Sequence, residues 1–388
     1  MRRAYRYIVL GLGGLGSAAA YWLARRAGAE VLGLEQFPLG HDRGGTHDHS
    51  RIIRLSYHTP GYVQLAQAAY QAWAALEAEA GEQLILKTGG LDLFPAGGRI
   101  PQTDYTASLT AAGVPFELLD APEAMRRWPQ WRLPEHVSVL YQAESGIAPA
   151  ERGAAAHRRL ARQYGATLLD RTPVTAITAG GGEFQVAAAG QIFRAEQLIF
   201  AAGAWTNQLL AHLGLRLPLT ITQEQLTYFD APCPADFAPE RFPIWIWMDE
   251  PCFYGFPVYG APGVKGAQDV GGAEVTAETR TFEPDPENLR RLSAFFQTYL
   301  PGAYGPPLLT KTCLYTLTPD RDFVIDALPG RPGAWLALGA AHDFKFASLI
   351  GQILSELAVE GRTRRDLSPF RFTRPILQMQ NPPKRFMV

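Results

Sequence analysis

The chain has 388 residues, 47% of them hydrophobic, which is enough for a large core and, on length alone, for two domains. Lys and Arg number 36 against 37 Asp and Glu, so the net charge of -1 offers no basic surface for nucleic acid or an anionic membrane. The three cysteines, Cys233, Cys252 and Cys313, are an odd count without metal-type spacing, which argues against a disulfide framework and fits a reducing cytoplasm.

The first element is an apolar strand, Tyr7–Leu10. It runs into Gly11-Leu-Gly-Gly-Leu-Gly16 and then a helix over Ser17–Ala27. A second strand, Val31–Leu34, ends in Glu35. Glycines at 11, 13, 14 and 16 allow a tight turn and a close backbone approach to a pyrophosphate. The helix N-terminus beyond them offers free N–H groups. Glu35 lies about 20 residues past the glycines, where a ribose hydroxyl needs an acceptor. The unit predicts dinucleotide binding. The uncharged run Ile8–Ala24 after Arg2-Arg3 imitates an export signal or membrane anchor, but its fingerprint glycines and Glu35 argue against both.

Tyr62–Gly81 carries Val63, Tyr70, Trp73 and Leu76 near helical spacing and closes on glycine. Thr88–Phe94 reads as a strand, Ala121–Trp128 as a short helix before Pro129, and Arg152–Tyr164 as a helix before Gly165. Ala166–Ile177 reads as one strand. Glu183–Val186 with Gln191–Arg194 reads as a hairpin. Leu198–Gly203 is a buried strand entering a glycine turn, followed by a helix from Trp205 to Leu213. A doubly wound sheet would use such a second junction to close over a dinucleotide.

Leu217–Phe229 and Ile244–Tyr259 are rich in β-branched and aromatic residues and predict an antiparallel sheet in a separate domain. Pro286–Leu300 is a helix. Phe323–Asp326 and Trp335–Leu338 are strands returning to the first domain, and Lys345–Ala358 is a long helix stopped by Gly361. The expected fold is therefore α/β plus mixed, with a Rossmann-like domain from 1–85, 147–215 and 323–388. Segments 86–146 and 216–322 form an interleaved substrate domain with a mixed or antiparallel sheet.

Read by themselves, the chemically interesting residues have bland alternatives. Arg51 and Arg54 flank Ile52-Ile53, and their spacing of three fits a bend or helical turn. Arg suits bidentate carboxylate recognition, but most arginines are surface or ion-paired. His47-Asp48-His49 invites a metal reading, yet adjacent residues rarely converge on one ion and no third partner stands nearby. Cys313 alone would be a small buried hydrophobe. Lys345 between two phenylalanines is either a snorkelling or a placed charge, and Lys265 alone would be a solvated loop lysine. Trp245, Trp247, Phe253 and Tyr254 read first as sheet packing.

Several segments together change this balance. They are Gly11–Gly16, Ser50-Arg-Ile-Ile-Arg54, Ala201-Ala-Gly-Ala-Trp205, Tyr254-Gly-Phe-Pro257 with Lys265, Cys313-Leu-Tyr-Thr316, Asp326 and His342-Asp-Phe-Lys-Phe346. Through them the chain resembles, nearly end to end, the monomeric sarcosine oxidase and N-methyltryptophan oxidase group of FAD-dependent amine oxidases. The resemblance implies FAD joined to Cys313 by a thioether. It implies a substrate carboxylate clamped by Arg54 and Lys345, with Tyr254 and Tyr315 lining the pocket. Lys265 then lies near the reactive ring nitrogen, with His47, Ser50, Arg51, Gly203, Trp205 and His342 on the flavin side. The family's usual histidine after that lysine falls on Asp269, its threonine on Ser50, and its Gly-rich turn on Ala340-Ala341. Asp269, expected at the substrate, thereby puts the exact substrate in doubt.

The activity so implied is oxidative removal of an N-alkyl group from an amino acid, with peroxide released by a cytoplasmic monomer. The expected partners are an amino-acid substrate and molecular oxygen, with no nucleic acid, membrane or metal. Two rivals stand beside it: a flavin-dependent amino-acid dehydrogenase using another acceptor, and a flavin-binding protein without turnover.

Overall fold

The computed structural model describes residues 2–384, so residue 1 and residues 385–388, the outer ends of the two terminal Rossmann stretches, lie outside it. Strand β1 (Ala4–Leu10) leads into α1 (Gly14–Ala27) and then β2 (Val31–Leu34), giving the expected βαβ unit. The helix begins at Gly14, ahead of the Ser17 start predicted, because the glycine turn is itself its first turn and the Gly14 amide finds an acceptor in Thr46 Oγ1 at 2.9 Å. Residues 14 to 24 of α1 are all buried, under helices Ala150–Gln163 and Ala347–Glu360. Burying each large side chain there, such as Tyr21 or Leu23, contributes about 1.5–3 kcal/mol. The Ile8–Ala24 run is thus a strand, a turn and a core helix. Among the described residues no helix is long and apolar enough to cross a membrane.

β1 sits between two parallel neighbours, β2 and the strand Gln191–Phe200. Beyond β2 lies Thr167–Leu169, also parallel, and the completed sheet has eight strands. The run Ala166–Ile177 is two strands, not the single one expected. Thr167–Leu169 joins the parallel core, and Val174–Gly180 joins an antiparallel meander with Glu183–Ala188. Pro173 has no N–H, and Arg171 adopts φ +48, so the chain turns between them. The Arg171 and Thr172 amides then bond Phe37 O and Glu35 O, which ties the turn to the end of β2. Conversely, the segments read as Gln191–Arg194 and Leu198–Gly203 share one continuous strand, Gln191–Phe200. Its first half pairs with the meander and its last three residues with Ala334–Leu338.

The second sheet has nine strands and is antiparallel except where Gly90–Phe94 meets Ile244–Trp247. Ile244–Tyr259 divides into a hairpin, Ile244–Trp247 with Cys252–Phe256, and Leu217–Phe229 becomes a strand from Thr220. A small third sheet joins β3 (Arg51–Ile53) to Gly146–Ala148 and Leu86–Lys87. This overturns the bend or helical turn expected at Arg51–Arg54: the segment is extended because β3 pairs with Gly146–Ala148. Helix α2 (Pro60–Ala80) stops at Gly81, φ +68, as its spacing predicts. The fold is a Rossmann-like α/β unit with an interleaved mixed-sheet unit, as the sequence pattern implied.

Candidate active site

A single cleft runs from the β1–α1 turn to the face of the nine-stranded sheet. At its first end Gly11 has φ +91 and would place a Cβ 2.6 Å from Ala201 O. A Cβ on Gly16 would lie 1.8 Å from Gly11 O, so neither position admits a side chain. Glu35, buried at the end of β2, accepts from Leu12 N at 2.9 Å and Phe37 N at 3.1 Å, with His41 Nε2 at 3.5 Å. Burial raises its pKa, but the hydrogen bonds from His41 and the two amides outweigh that and hold it below the usual carboxylate value. Gly13, Gly14, Gly203 and Trp205 line the same end, where Trp205 meets Phe37 edge-on at 5.3 Å. A glycine cradle, an ionised acceptor and a second strand–glycine–helix junction fit the pyrophosphate and ribose of a dinucleotide.

The middle of the cleft is walled by residues 44–47, Arg51, Leu314 and Tyr315. Arg51 spends its guanidinium on the carbonyls of Gly45 and His47 at 2.8 Å and Ser50 at 2.7 Å. No carboxylate forms an ion pair with it among the described residues. Burial, then Arg51, pushes the His47 imidazole down to about 4, so it is neutral at physiological pH. Ser50, Lys265 and Cys313 do not line the cleft but adjoin residues that do: Ser50 and Cys313 precede Arg51 and Leu314 in the chain, and Lys265 stands opposite Phe256. Cys313 is 7% exposed, and burial, against the pull of Arg51, pushes its thiol up to about 11.

The far end gathers the expected substrate residues. Strand register explains how. Directly opposed residues share a face of the nine-stranded sheet. The opposed pairs are Asp92 with Ile246, Ile246 with Tyr254, Cys252 with Asp269, Phe256 with Lys265, and Glu224 with Cys313. One face therefore carries the apolar wall of Ile246, Tyr254 and Phe256 together with the polar groups. Tyr254 and Tyr315 are joined through their hydroxyls at 3.4 Å.

Arg54 is buried, 3.2 Å from Asp92 Oδ1 and 4.8 Å from the centre of the Tyr57 ring. Burial pushes the Asp92 carboxyl up against the opposing pull of Arg54 and Ser56. Asp269 pairs with Arg321 Nη1 at 2.9 Å, so its charge is largely balanced inside the site. Lys345 projects from a 3-10 turn, Phe344–Phe346, that precedes the expected long helix, and donates to His342 O at 2.9 Å. Burial and Arg54 push its ammonium down to about 7. No carboxylate pairs with Lys345 among the described residues. His342 sits beside Arg321, its Nε2 2.8 Å from the Arg321 carbonyl.

The sequence reading missed Asp92, Arg321, Tyr57 and Thr46. Asp92 had a signal, an acid in the middle of an otherwise apolar strand. That pattern marks a paired buried charge. Arg321 had none, since its loop reads as an ordinary turn. Among the described residues no group of three or more His, Cys, Asp or Glu could hold a metal ion.

The sequence profile of the family described as FAD dependent oxidoreductase matches residues 6–357. The chain is 32% identical to the monomeric sarcosine oxidase of Arthrobacter sp. (strain TE1826), covering 98% of this chain and 99% of that one. It is 30% identical to the N-methyl-L-tryptophan oxidase of Salmonella arizonae over 95% of this chain and 99% of that one. Among solved structures it superposes on NikD, an unusual amino acid oxidase essential for nikkomycin biosynthesis. That match has a TM-score of 0.84 and 28% identity, and covers 95% of this chain and 98% of that one.

Proposed function

The chain belongs to the FAD dependent oxidoreductase family, and we propose that it oxidises N-methyl or other N-alkyl amino acids, with molecular oxygen as the final acceptor. The products are the free amino acid, an aldehyde and hydrogen peroxide. The observation that carries this reading is Lys345: a cation on the cleft wall without a carboxylate in an ion pair with it among the described residues, grouped with Arg54, Asp269 and Arg321. The relatives named for sarcosine and N-methyl-L-tryptophan support the substrate class.

In this reading Gly11–Gly16, Glu35, Gly203, Trp205, His47, Arg51 and His342 hold FAD. Cys313, next to the wall residue Leu314, would supply a covalent thioether to FAD. Bound there, FAD supplies the two-electron acceptor that removes a hydride equivalent from the substrate carbon. The protein's part is orientation. Lys345 and Arg54 fix the carboxylate, and Ile246, Tyr254 and Phe256 pack the N-alkyl end and exclude water. Positioning of this kind lowers a barrier by several kcal/mol. Lys265 serves the oxygen half-reaction.

The Asp269–Arg321 pair sets fixed charge at the polar end, beside the apolar wall of Ile246, Tyr254 and Phe256. Larger N-alkyl amino acids should therefore surpass sarcosine. On the same reading, segments 1–85, 147–215 and 323–388 bind the flavin and segments 86–146 and 216–322 the substrate. The enzyme acts as a monomer in the cytoplasm.

The test is a panel of N-methyl amino acids assayed for peroxide, with anaerobic bleaching of the flavin recorded in parallel. Bleaching with peroxide release supports an oxidase. Bleaching with dye reduction and no peroxide would indicate a dehydrogenase, and no bleaching by any member would remove the catalytic reading.

A further inference from the structure

Lys265 is held through every one of its donors. Its ammonium, 2% exposed, donates to Asp48 Oδ2 at 2.6 Å and to Ser50 O and Oγ at 3.1 and 3.0 Å, so all three N–H groups have acceptors. Asp48 is fully buried, and Tyr228 donates to the same carboxylate oxygen at 2.9 Å. Lys311, 29% exposed, takes the other oxygen at 3.1 Å. The register accounts for the convergence. Tyr228 stands opposite Lys265, and Leu226, two residues along, stands opposite Lys311, which puts all three polar groups on one sheet face. Asp48 meets them from the opposite side with φ +80, in the left-handed region few non-glycine residues occupy. Its amide is anchored outward to Glu151 Oε1 at 2.9 Å.

A buried ammonium tends to lose its proton unless a counter-charge faces it. The charged or titratable groups around Lys265 are Asp48 and Arg51 from the loop, Tyr228 and the strand neighbours Lys311 and Cys313. Arg51 is a like charge that adds to the effect of burial, and Lys311 shares the Asp48 carboxylate. Asp48 is the one carboxylate in an ion pair with Lys265 among the described residues. Burial pulls the ammonium down to about 8 while Asp48 resists. Despite its own burial, Asp48 is held well below the usual carboxylate range by Lys265, Arg51 and Lys311, so it remains an anion.

We propose that Asp48 is the positioning residue that keeps Lys265 a protonated, oriented ammonium next to the cleft wall, and that Lys311, by sharing the carboxylate, weakens that hold. The inference rests on the reading that Lys265 serves the oxygen half-reaction. Making peroxide from oxygen takes two electrons and two protons. Bound reduced flavin would supply both electrons and one proton, and solvent or protein the second proton. A fixed cation stabilises the negative charge that builds on oxygen, and a neutral amine does not. Reoxidation should therefore follow the protonation of Lys265, with Asp48 setting the pH at which it fails.

The experiment uses holoenzyme whose flavin is photoreduced without oxygen, with EDTA as the electron donor, so no substrate is needed. Reoxidation by oxygen is followed across pH, and the absorbance of the oxidised bound flavin is titrated separately. Asp48→Asn should move both transitions down by about 1–3 pH units, with reoxidation near the unmodified rate on the acid side. Lys311→Met should move both up by a smaller step. Opposite shifts from two changes in one cluster are not what a general loosening of the fold would give. Unchanged transitions, or shifts in the same direction, overturn the proposal. If Asp48→Asn does not fold or bind flavin, Lys311→Met decides alone: an upward shift supports the idea, and none or a downward one rejects it. If unmodified protein is reduced by light but not reoxidised by oxygen, the oxidase reading fails, while the absorbance titration still decides the role of Asp48.

Discussion

Lys345 carries a pH dependence that can be read directly. Its ammonium is pushed down to about 7 by burial and Arg54. The carboxylate-binding form is the cation, so binding is strongest below that value and lost as pH rises through it. kcat/KM for an N-alkyl amino acid, which reports the free enzyme, should fall roughly tenfold per pH unit on that limb. Lys345→Met should abolish the limb and weaken apparent affinity about 10- to 200-fold, the equivalent of about 1.5–3 kcal/mol. A carboxyl-esterified analogue should be nearly indifferent to the change, and equal losses on acid and ester would sink the assignment. Cys313 yields a second prediction. Its thiol is pushed up to about 11, so at neutral pH little thiolate is present. Attachment of FAD to flavin-free protein should then quicken about tenfold per pH unit towards alkaline pH. Acid-precipitated protein should keep its colour, and Cys313→Ser should release it. Colour lost from the unmodified protein would show that no bond forms.

At the scale of elements, two periodicities do most of the placing. In the nine-stranded sheet the period of two puts Lys311, Cys313 and Tyr315 on one face, and Lys265 and Asp269, four residues apart, lie on the same face one strand further on, across Thr220–Phe229. That alternation is visible in the sequence. The pairing that sets those strands side by side is not. The β1–α1 turn is more rigidly determined, since Gly16 approaches Gly11 O so closely that a Cβ would sit 1.8 Å away. Gly16→Ala should open the turn, lower stability by about 1–3 kcal/mol or more, and strip FAD from the site. Thermal melting with flavin content per chain tests this; a variant with unchanged Tm and full flavin would show that the turn is looser than drawn. Elements were misjudged where one residue overruled a propensity. Pro173 split Ala166–Ile177, and the pairing of β3 with Gly146–Ala148 straightened a segment that looked like a bend.

Across the whole molecule, strands from separate chain segments build each sheet, and the cleft is lined by residues of both large sheets. A ligand filling that cleft should stabilise the entire fold. For Cys313→Ser protein freed of flavin, FAD at about 100 times its Kd should add about 2.7 kcal/mol, seen as a rise in Tm. No rise would mean that FAD does not occupy the cleft. The sequence by itself determined the βαβ unit and the alternation of the second sheet, while Arg54, Lys345 and Cys313 were singled out only through the family resemblance. The unit and the alternation are local matters of spacing, turn geometry and residue type. Only the tertiary structure decided which charges meet. Asp92 finds Arg54, Arg321 finds Asp269, and Asp48 finds Lys265 and Lys311, across separations of 38, 52, 217 and 263 residues. The reason is physical. Side-chain periodicity is written along a strand, but a buried charge's partner depends on the register and packing of elements far away. No local pattern encodes that distance.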